Sequence, residues 1–300
     1  MSNLLVVIGA TGGQGGGVVD AFLKEPGWKV RGTTRNVSLA AKGVNVVPAN
    51  LNDQESLEKA FQDATAIFAF SDYYETFFEL GDEKSMELEF EQGKRVALAA
   101  AKNKALQRLV LSAAPHTSKI TEGEVVCPHV EGKGRIVTYI TNEMPDLAAK
   151  TTFAVFTIFA NNALLYDIFK PIYVPSAKKY VTLYPAPPDT PYPSVGNPAV
   201  NGGIFVRRLV KNPPPQGSLN YIGLWGPMAQ KQLSQWQFFH WVNENYPPNW
   251  EGIMLLEGMD LLTVEDKREL LSVEESLKCY DWSAFEKKPT AGAVTTRFSN

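Results

Sequence analysis

Gly9-Ala10-Thr11-Gly12-Gly13-Gln14-Gly15 follows the apolar run Leu4-Leu5-Val6-Val7-Ile8 and opens a helix-like stretch, Gln14–Lys24, that stops at Pro26-Gly27. A G-x-x-G-x-x-G string between a buried strand and a helix is a strong signal, because each glycine meets a separate steric demand. Gly9 permits the tight turn, Gly12 lets backbone come close to a pyrophosphate, and Gly15 lets the helix lie against the sheet. Free N–H groups and the positive end of the helix dipole then face the phosphates. Gly9, Thr11, Gly12, Gly13, Gln14 and Gly15 are therefore the expected pyrophosphate-binding set of a dinucleotide site. Gly16 and Gly17 prolong the string at a cost in helix propensity.

Outward from this turn, strand-like and helix-like segments alternate. Lys29–Thr34, Asn45–Pro48, Thr65–Phe70, Arg108–Ser112 and Thr152–Phe159 read as strands. Helices are expected from a cap at Asp53 to Phe61, over Met86–Asn103, and over His129–Asn142, ending near Pro145. Alternation without hairpin signals predicts an α/β fold with a Rossmann-type, doubly wound parallel sheet. After Asn161 prolines crowd the chain, including Pro185, Pro187, Pro188 and Pro213-Pro214-Pro215, and they restrict it to short elements. Helices at Val200–Val210 and Leu233–Val242 flank a strand at Leu219–Gly223. The expected division is a nucleotide-binding domain over 1–160 and a smaller mixed α/β C-terminal lobe over 161–300, with elements able to interleave. Tyr221, Trp225, Trp236, Phe238, Phe239 and Trp241 would form the core of that lobe or a roof over a cleft.

Composition narrows the function. The chain has 300 residues, 44% of them apolar, enough to bury a core. Its formal charge is −3, which argues against direct nucleic-acid binding, since that needs a basic stripe. The two cysteines, Cys127 and Cys279, form no Cys-x-x-Cys or Cys/His ligand cluster, so neither a metal site nor a disulfide framework is expected. No apolar run reaches the roughly 20 residues a membrane helix needs. The N-terminus reads straight into a strand, without the pattern of a signal peptide. A cytoplasmic protein is the expectation, with the nucleus open to a regulator.

The end of strand two chooses between nucleotides. It reads Thr33-Thr34-Arg35-Asn36, without the acid that accepts from the 2′-hydroxyl of NAD. Arg35 offers a planar fork of donors to a 2′-phosphate, so NADP(H) is the expected cofactor. After strand three, Asn52 is the candidate adenine contact, Leu51 an apolar wall and Asp53 a helix cap.

With these residues in hand, the chain resembles the NmrA-like family of atypical short-chain dehydrogenases/reductases. The resemblance rests on the glycine turn, on Val30-Arg31-Gly32-Thr33-Thr34-Arg35-Asn36, on Glu91-Gln92-Gly93-Lys94, on Leu109-Val110-Leu111-Ser112, and on His129-Val130-Glu131-Gly132-Lys133-Gly134. It implies a Rossmann domain with a small C-terminal lobe and a preference for NADP(H). Some members of the family resemble redox-sensing regulators that bind partner proteins, and others resemble reductases. Where the family has a Val-x-Asp motif, this chain has Val200-Asn201-Gly202-Gly203, without the Asp.

Short-chain dehydrogenases usually pair Tyr-x-x-x-Lys with a serine at the end of strand five. Here the spacing survives as His129-x-x-x-Lys133, and Ser112 ends strand five. Four residues is about one helical turn, so both side chains share a face. Lys133 is the candidate for holding the nicotinamide ribose, and His129, of a type that titrates near pH 6.5, is a candidate proton donor. Ser71 and Tyr73 follow strand four, where Tyr73 would be an aromatic wall or a substitute proton donor, and Asn161 follows strand six. His116 is expected on a surface loop and Tyr139 in packing. Two readings stay open: a reductase of a small apolar carbonyl or conjugated compound, and a non-catalytic NADP sensor that binds a partner protein. One consequence follows from charge alone. Arg35→Ala should weaken NADPH binding in calorimetry by tenfold or more while NADH binding barely changes, about the weight of one charge-assisted contact. Equal weakening of both would remove the 2′-phosphate assignment.

Overall fold

The computed structural model describes residues 2–33, 43–165, 172–174, 176–181, 192–214, 219–222, 224–226, 249–250 and 253–283. Arg35 and the helix predicted over 233–242 lie outside the described residues. Six strands run inward from one edge of the main sheet: β1 (Asn3–Ile8), β2 (Trp28–Thr33), β3 (Asn45–Val47), β4 (Ala66–Ala69), β5 (Arg108–Ser112) and β6 (Thr151–Phe156). Their order is β3-β2-β1-β4-β5-β6 and every pairing is parallel. The chain therefore reverses its direction of winding between β1 and β4. A crevice opens there at the carboxyl ends of the strands.

Strand periodicity divides the core between two faces. Val6, Ile8, Ile67, Leu109 and Leu111 point to one face, where α2 (Gln54–Phe61), α3 (Tyr74–Lys102) and α5 (Pro128–Glu143) bury Leu57, Val96 and Ile136. Leu5, Val7, Phe68 and Val110 point to the other, against Val19 and Phe22 of α1 (Gly13–Leu23) and Phe205 and Leu209 of α8 (Gly203–Lys211). Because both faces are covered, β1 is apolar at consecutive positions instead of alternating.

The helix expected over Met86–Asn103 begins twelve residues earlier, at Tyr74, and is two helical runs joined at Gly81. Gly81 has φ 75°, a left-handed conformation that breaks the helix and costs glycine little. The polar Asp82-Glu83-Lys84 that follows hides the first run from a periodicity reading. The strand expected over Thr152–Phe159 divides at Thr157 into β6 and a short β7 (Ile158–Phe159). β7 leaves the main sheet to pair with β10 (Tyr192–Gly196), which pairs antiparallel with β12 (Leu224–Gly226). Residues beyond 160 also return to the main sheet. β11 (Leu219–Ile222) pairs with β6, and β14 (Ile253–Glu257) with β11, both in parallel.

The extra glycine in α1 now has a physical reason. Pro198–Gly202 makes a π-helical turn that continues into α8 and crosses α1 at Gly17. A Cβ on Gly17 would stand 2.6 Å from the carbonyl oxygen of Ala199, and a Cβ on Gly203 would strike the Gly17 carbonyl. Asn201, fully buried, ties the crossing to the chain behind it: its Nδ2 donates to the carbonyls of Val195 (2.9 Å) and Leu271 (2.8 Å), and its Oδ1 accepts from the Leu271 N–H at 2.9 Å. Among the described residues, no helix is long and apolar enough to cross a membrane.

Gly17→Ala tests the crossing. Helix propensity alone would stabilise the variant by about 1 kcal/mol, whereas overpacking costs about 1–3 kcal/mol. The urea midpoint should fall, and a rise would show that the two helices separate freely.

Candidate functional site

One groove of about 1960 Å³ runs along the carboxyl ends of the central strands, more than a drug-sized pocket requires. Gly9, Gly12, Gln14 and Asn52 line one part of it, and Ser112, His129, Lys133 and Asn161 line another.

At the glycine turn, Gly9 has φ 61° and would carry its Cβ into the ring of Phe70, 2.5 Å away. Gly12 donates its N–H to the Gly9 carbonyl at 2.9 Å. Gly15 is buried, and a Cβ there would fall on that same carbonyl, so its part is to bring α1 close to β1. Thr11, Gly12, Gly13 and Gln14 line the groove, at the end of α1 where N–H groups lack intrahelical partners. Gln14 Oε1 is buried with no hydrogen-bond partner among the described residues. Asp53 caps α2 through the N–H groups of Glu55 (3.0 Å) and Ser56 (3.3 Å). Asn52 lines the groove and accepts at Oδ1 from Gln92 Nε2 at 3.2 Å.

At the other part of the groove, Ser112 closes β5 and is buried. His129 is the second residue of α5, after Pro128, and Lys133 stands one turn later. Both border the groove. The His129 ring lies 3.5 Å from the buried Cys127 Sγ, measured at Nδ1, and its centre is 5.9 Å from the ring of Tyr74. Lys133 is ion-paired with Glu89, a carboxylate that is 1% exposed, and Ser71 donates its hydroxyl to the same Oε1 at 2.9 Å. Asn161 reaches the groove, and its Oδ1 is buried without a hydrogen-bond partner among the described residues.

Tyr73 does not border the groove. It is 2% exposed, donates its hydroxyl to Asp82 and stacks on Phe77 at 5.5 Å. Burial, and then the Asp82 carboxylate, push its pKa well above the ordinary phenol value. Neither the wall nor the substitute donor expected of Tyr73 fits this placement, and the ring that borders the groove is Tyr74. His116 also departs from its expected surface loop. It is wedged between Thr138 Oγ1, 2.9 Å from Nδ1, and Glu131 Oε1, 3.3 Å from Nε2. Tyr139 packs edge-on against Phe90 with ring centres 6.3 Å apart, in keeping with a packing role.

Sequence alone assigns no role to Glu89 or Glu131, and both are buried, Glu89 between α3 and α5 and Glu131 on α5 against residues 116–118. Ser85, Glu89, Gln92, Gly93 and Val96 share one buried face of α3. Polar residues at helical spacing within an alanine-rich stripe were the available signal. Glu131 accepts from Thr117 Oγ1 (2.5 Å), from the Ser118 N–H (3.1 Å) and from the Ser118 hydroxyl. Burial raises its pKa, but the bonds from His116, Ser118 and Thr117 outweigh that and hold it at about 2. Because the folded-state value lies below the ordinary 4.5, the resulting stability is present above pH 4.5 and is lost as pH falls towards about 2. Glu131→Gln should lower stability at neutral pH by roughly 3 kcal/mol and flatten the acid limb of a denaturation series. An unchanged acid limb would show that another carboxylate governs it.

Residues 1–231 match the NmrA-like family. An NmrA-like family domain-containing oxidoreductase of Aspergillus campestris is 33% identical over 142 residues, 45% of this chain and 41% of the relative. One from Aspergillus hancockii is 30% identical over 151 residues, 47% of this chain and 42% of the relative. These matches span less than half the length of either relative. Among solved structures, NmrA, a negative transcriptional regulator, in complex with NADP superposes with a TM-score of 0.63 at 17% identity, covering 94% of this chain and 99% of that one. The Citrobacter sp. triphenylmethane reductase complexed with NADP(H) gives 0.54 at 14%, covering 92% and 99%. At such identities the structural likeness speaks to the fold, whereas the sequence match over most of the chain places it by descent: the protein belongs to the NmrA-like family.

Proposed function

We propose that the protein is an NADP(H)-dependent reductase of a small, largely apolar carbonyl or conjugated compound, working in the cytoplasm. The observation that carries this reading is His129 and Lys133, one helical turn apart on α5, bordering the same groove as Ser112 and the glycine turn. The groove suits a dinucleotide. Gln14 Oε1 and Asn161 Oδ1 are buried acceptors without donors among the described residues, and ribose hydroxyls and a carboxamide supply donors of that kind. The glycine turn leaves no side chain between backbone and diphosphate.

When bound, the nucleotide supplies the hydride. The chain's own groups bind and orient. Gly13 and Gln14 meet the diphosphate with backbone N–H groups at the start of α1, Gly12 keeps side chains out of its way, Asn52 meets the adenine, and Arg35 meets the 2′-phosphate. Lys133 has three N–H donors; Glu89 takes one, which leaves two for ribose hydroxyls. His129 gives a proton to the acceptor's oxygen, and Ser112 borders the same groove. Tyr74, Phe78 and Leu165 border the groove, and the last two are 87% and 64% exposed, so they offer apolar surface to an incoming compound.

Tyr73 favours a second reading. With the usual helical tyrosine absent and the Tyr73 hydroxyl buried on Asp82, neither tyrosine can serve as the acid. A nucleotide sensor that binds a partner protein, in the cytoplasm or the nucleus, needs none. NADPH consumption over a panel of quinones and ketones separates the two. The reductase should turn over at least one, and His129→Ala should lower kcat by 100-fold or more with NADPH affinity unchanged, the usual worth of a general acid. Full activity in that variant removes the donor role, and NADPH binding without turnover across the panel selects the sensor.

A further inference from the structure

Glu89 is a buried charge with one foot behind the groove. Its Oε1 receives both the Lys133 ammonium and the Ser71 hydroxyl, its Oε2 has no hydrogen-bond partner among the described residues, and the residue is 1% exposed. Lys133 and Ser71 border the groove and Glu89 does not. The helix opposite is shaped around it: a Cβ on Gly132 would stand 2.8 Å from Glu89 Oε2 and 2.9 Å from the Met86 carbonyl oxygen. Stability gives little reason for such an arrangement. A buried ion pair gains little or nothing over apolar packing, and a carboxylate oxygen without a donor adds a further cost. The arrangement does hold two groups that border the groove, the Lys133 ammonium as a donor and the Ser71 hydroxyl oxygen as an acceptor, with no net charge on the Lys133–Glu89 pair.

We propose that Glu89 is the positioning residue of the nucleotide site: it sets Lys133 and Ser71 for the nicotinamide-side ribose, and by cancelling the Lys133 charge it lets the site hold oxidised and reduced nucleotide evenly. The proposal rests on the nucleotide reading above. The oxidised nicotinamide ring carries a positive charge and the reduced ring carries none. An ammonium without its counter-ion therefore disfavours the oxidised form alone, and a carboxylate without its ammonium favours it.

Affinities for NADPH and NADP⁺, measured by calorimetry on the full chain, test this without reference to turnover. Glu89→Gln should weaken both nucleotides and move their affinity ratio towards NADPH by about tenfold or more, the scale of one unit charge within roughly 12 Å at an effective dielectric of about 20. Lys133→Met should move the ratio the other way by a similar factor. The double variant should bind no more weakly than Lys133→Met alone, with a ratio back near that of the unmodified protein. A ratio unmoved in Glu89→Gln, or losses that add in the double variant, overturns the proposal. Should Glu89→Gln fail to fold, Lys133→Met decides alone, since a ratio that stays put or moves towards NADPH is equally fatal. Failure of the unmodified protein to bind either nucleotide removes the nucleotide reading itself, and that is a different result from normal binding with an unmoved ratio.

Discussion

Backbone meets backbone at two places on α1, and the rest of the molecule is arranged around those contacts. At Gly15 the helix lies against the Gly9 carbonyl, and at Gly17 against Ala199 and Gly203. The first contact sets the height of the helix over β1 and so the shape of the turn whose N–H groups face the groove. The second brings residues from the far end of the chain onto the same helix, with Asn201 hydrogen-bonded to Val195 and Leu271 behind it. Any Cβ at these positions would push layers apart that are otherwise close-packed, and packed interiors yield little to such pressure.

The opposite face of the sheet is governed by charge. α3 and α5 approach closely at Gly93 and Gly132, and two carboxylates are buried near that interface. Their circumstances differ. Glu131 collects bonds from His116, Thr117 and Ser118 and fastens the 116–118 segment to α5, which suits a structural anchor. Glu89 is satisfied on one oxygen only, and its partners are side chains that border the groove. Incomplete satisfaction of a buried charge is expensive, and it is found where a site needs a particular arrangement more than it needs stability.

Legibility in the sequence followed the range of the interactions. The glycine turn, the parallel character of the sheet and the Asp53 cap depend on neighbours a few residues apart or on short continuous apolar runs alternating with helix-like segments, and each was readable. The pairing of His129 with Lys133 was readable because helical geometry puts every fourth residue on one face. The first run of α3 was not, since Gly81 and the polar residues after it interrupt the period. Nor could local pattern choose between Tyr73 and Tyr74. Adjacent side chains near a helix start point in different directions, and only the position of Asp82 across the Gly81 break draws Tyr73 inward.

Local stereochemistry and hydrophobic period, both written in residue order, were enough to specify a doubly wound parallel sheet and the helix that carries Lys133. What Lys133 is bonded to was a matter for tertiary structure alone. Glu89 lies 44 residues away, on a helix whose register against α5 depends on glycines fitting under side chains of the other element. A carboxylate so far off in sequence leaves no periodic trace of its partner, because the energy of an ion pair depends on distance in space and on burial, and neither is set until the helices have packed.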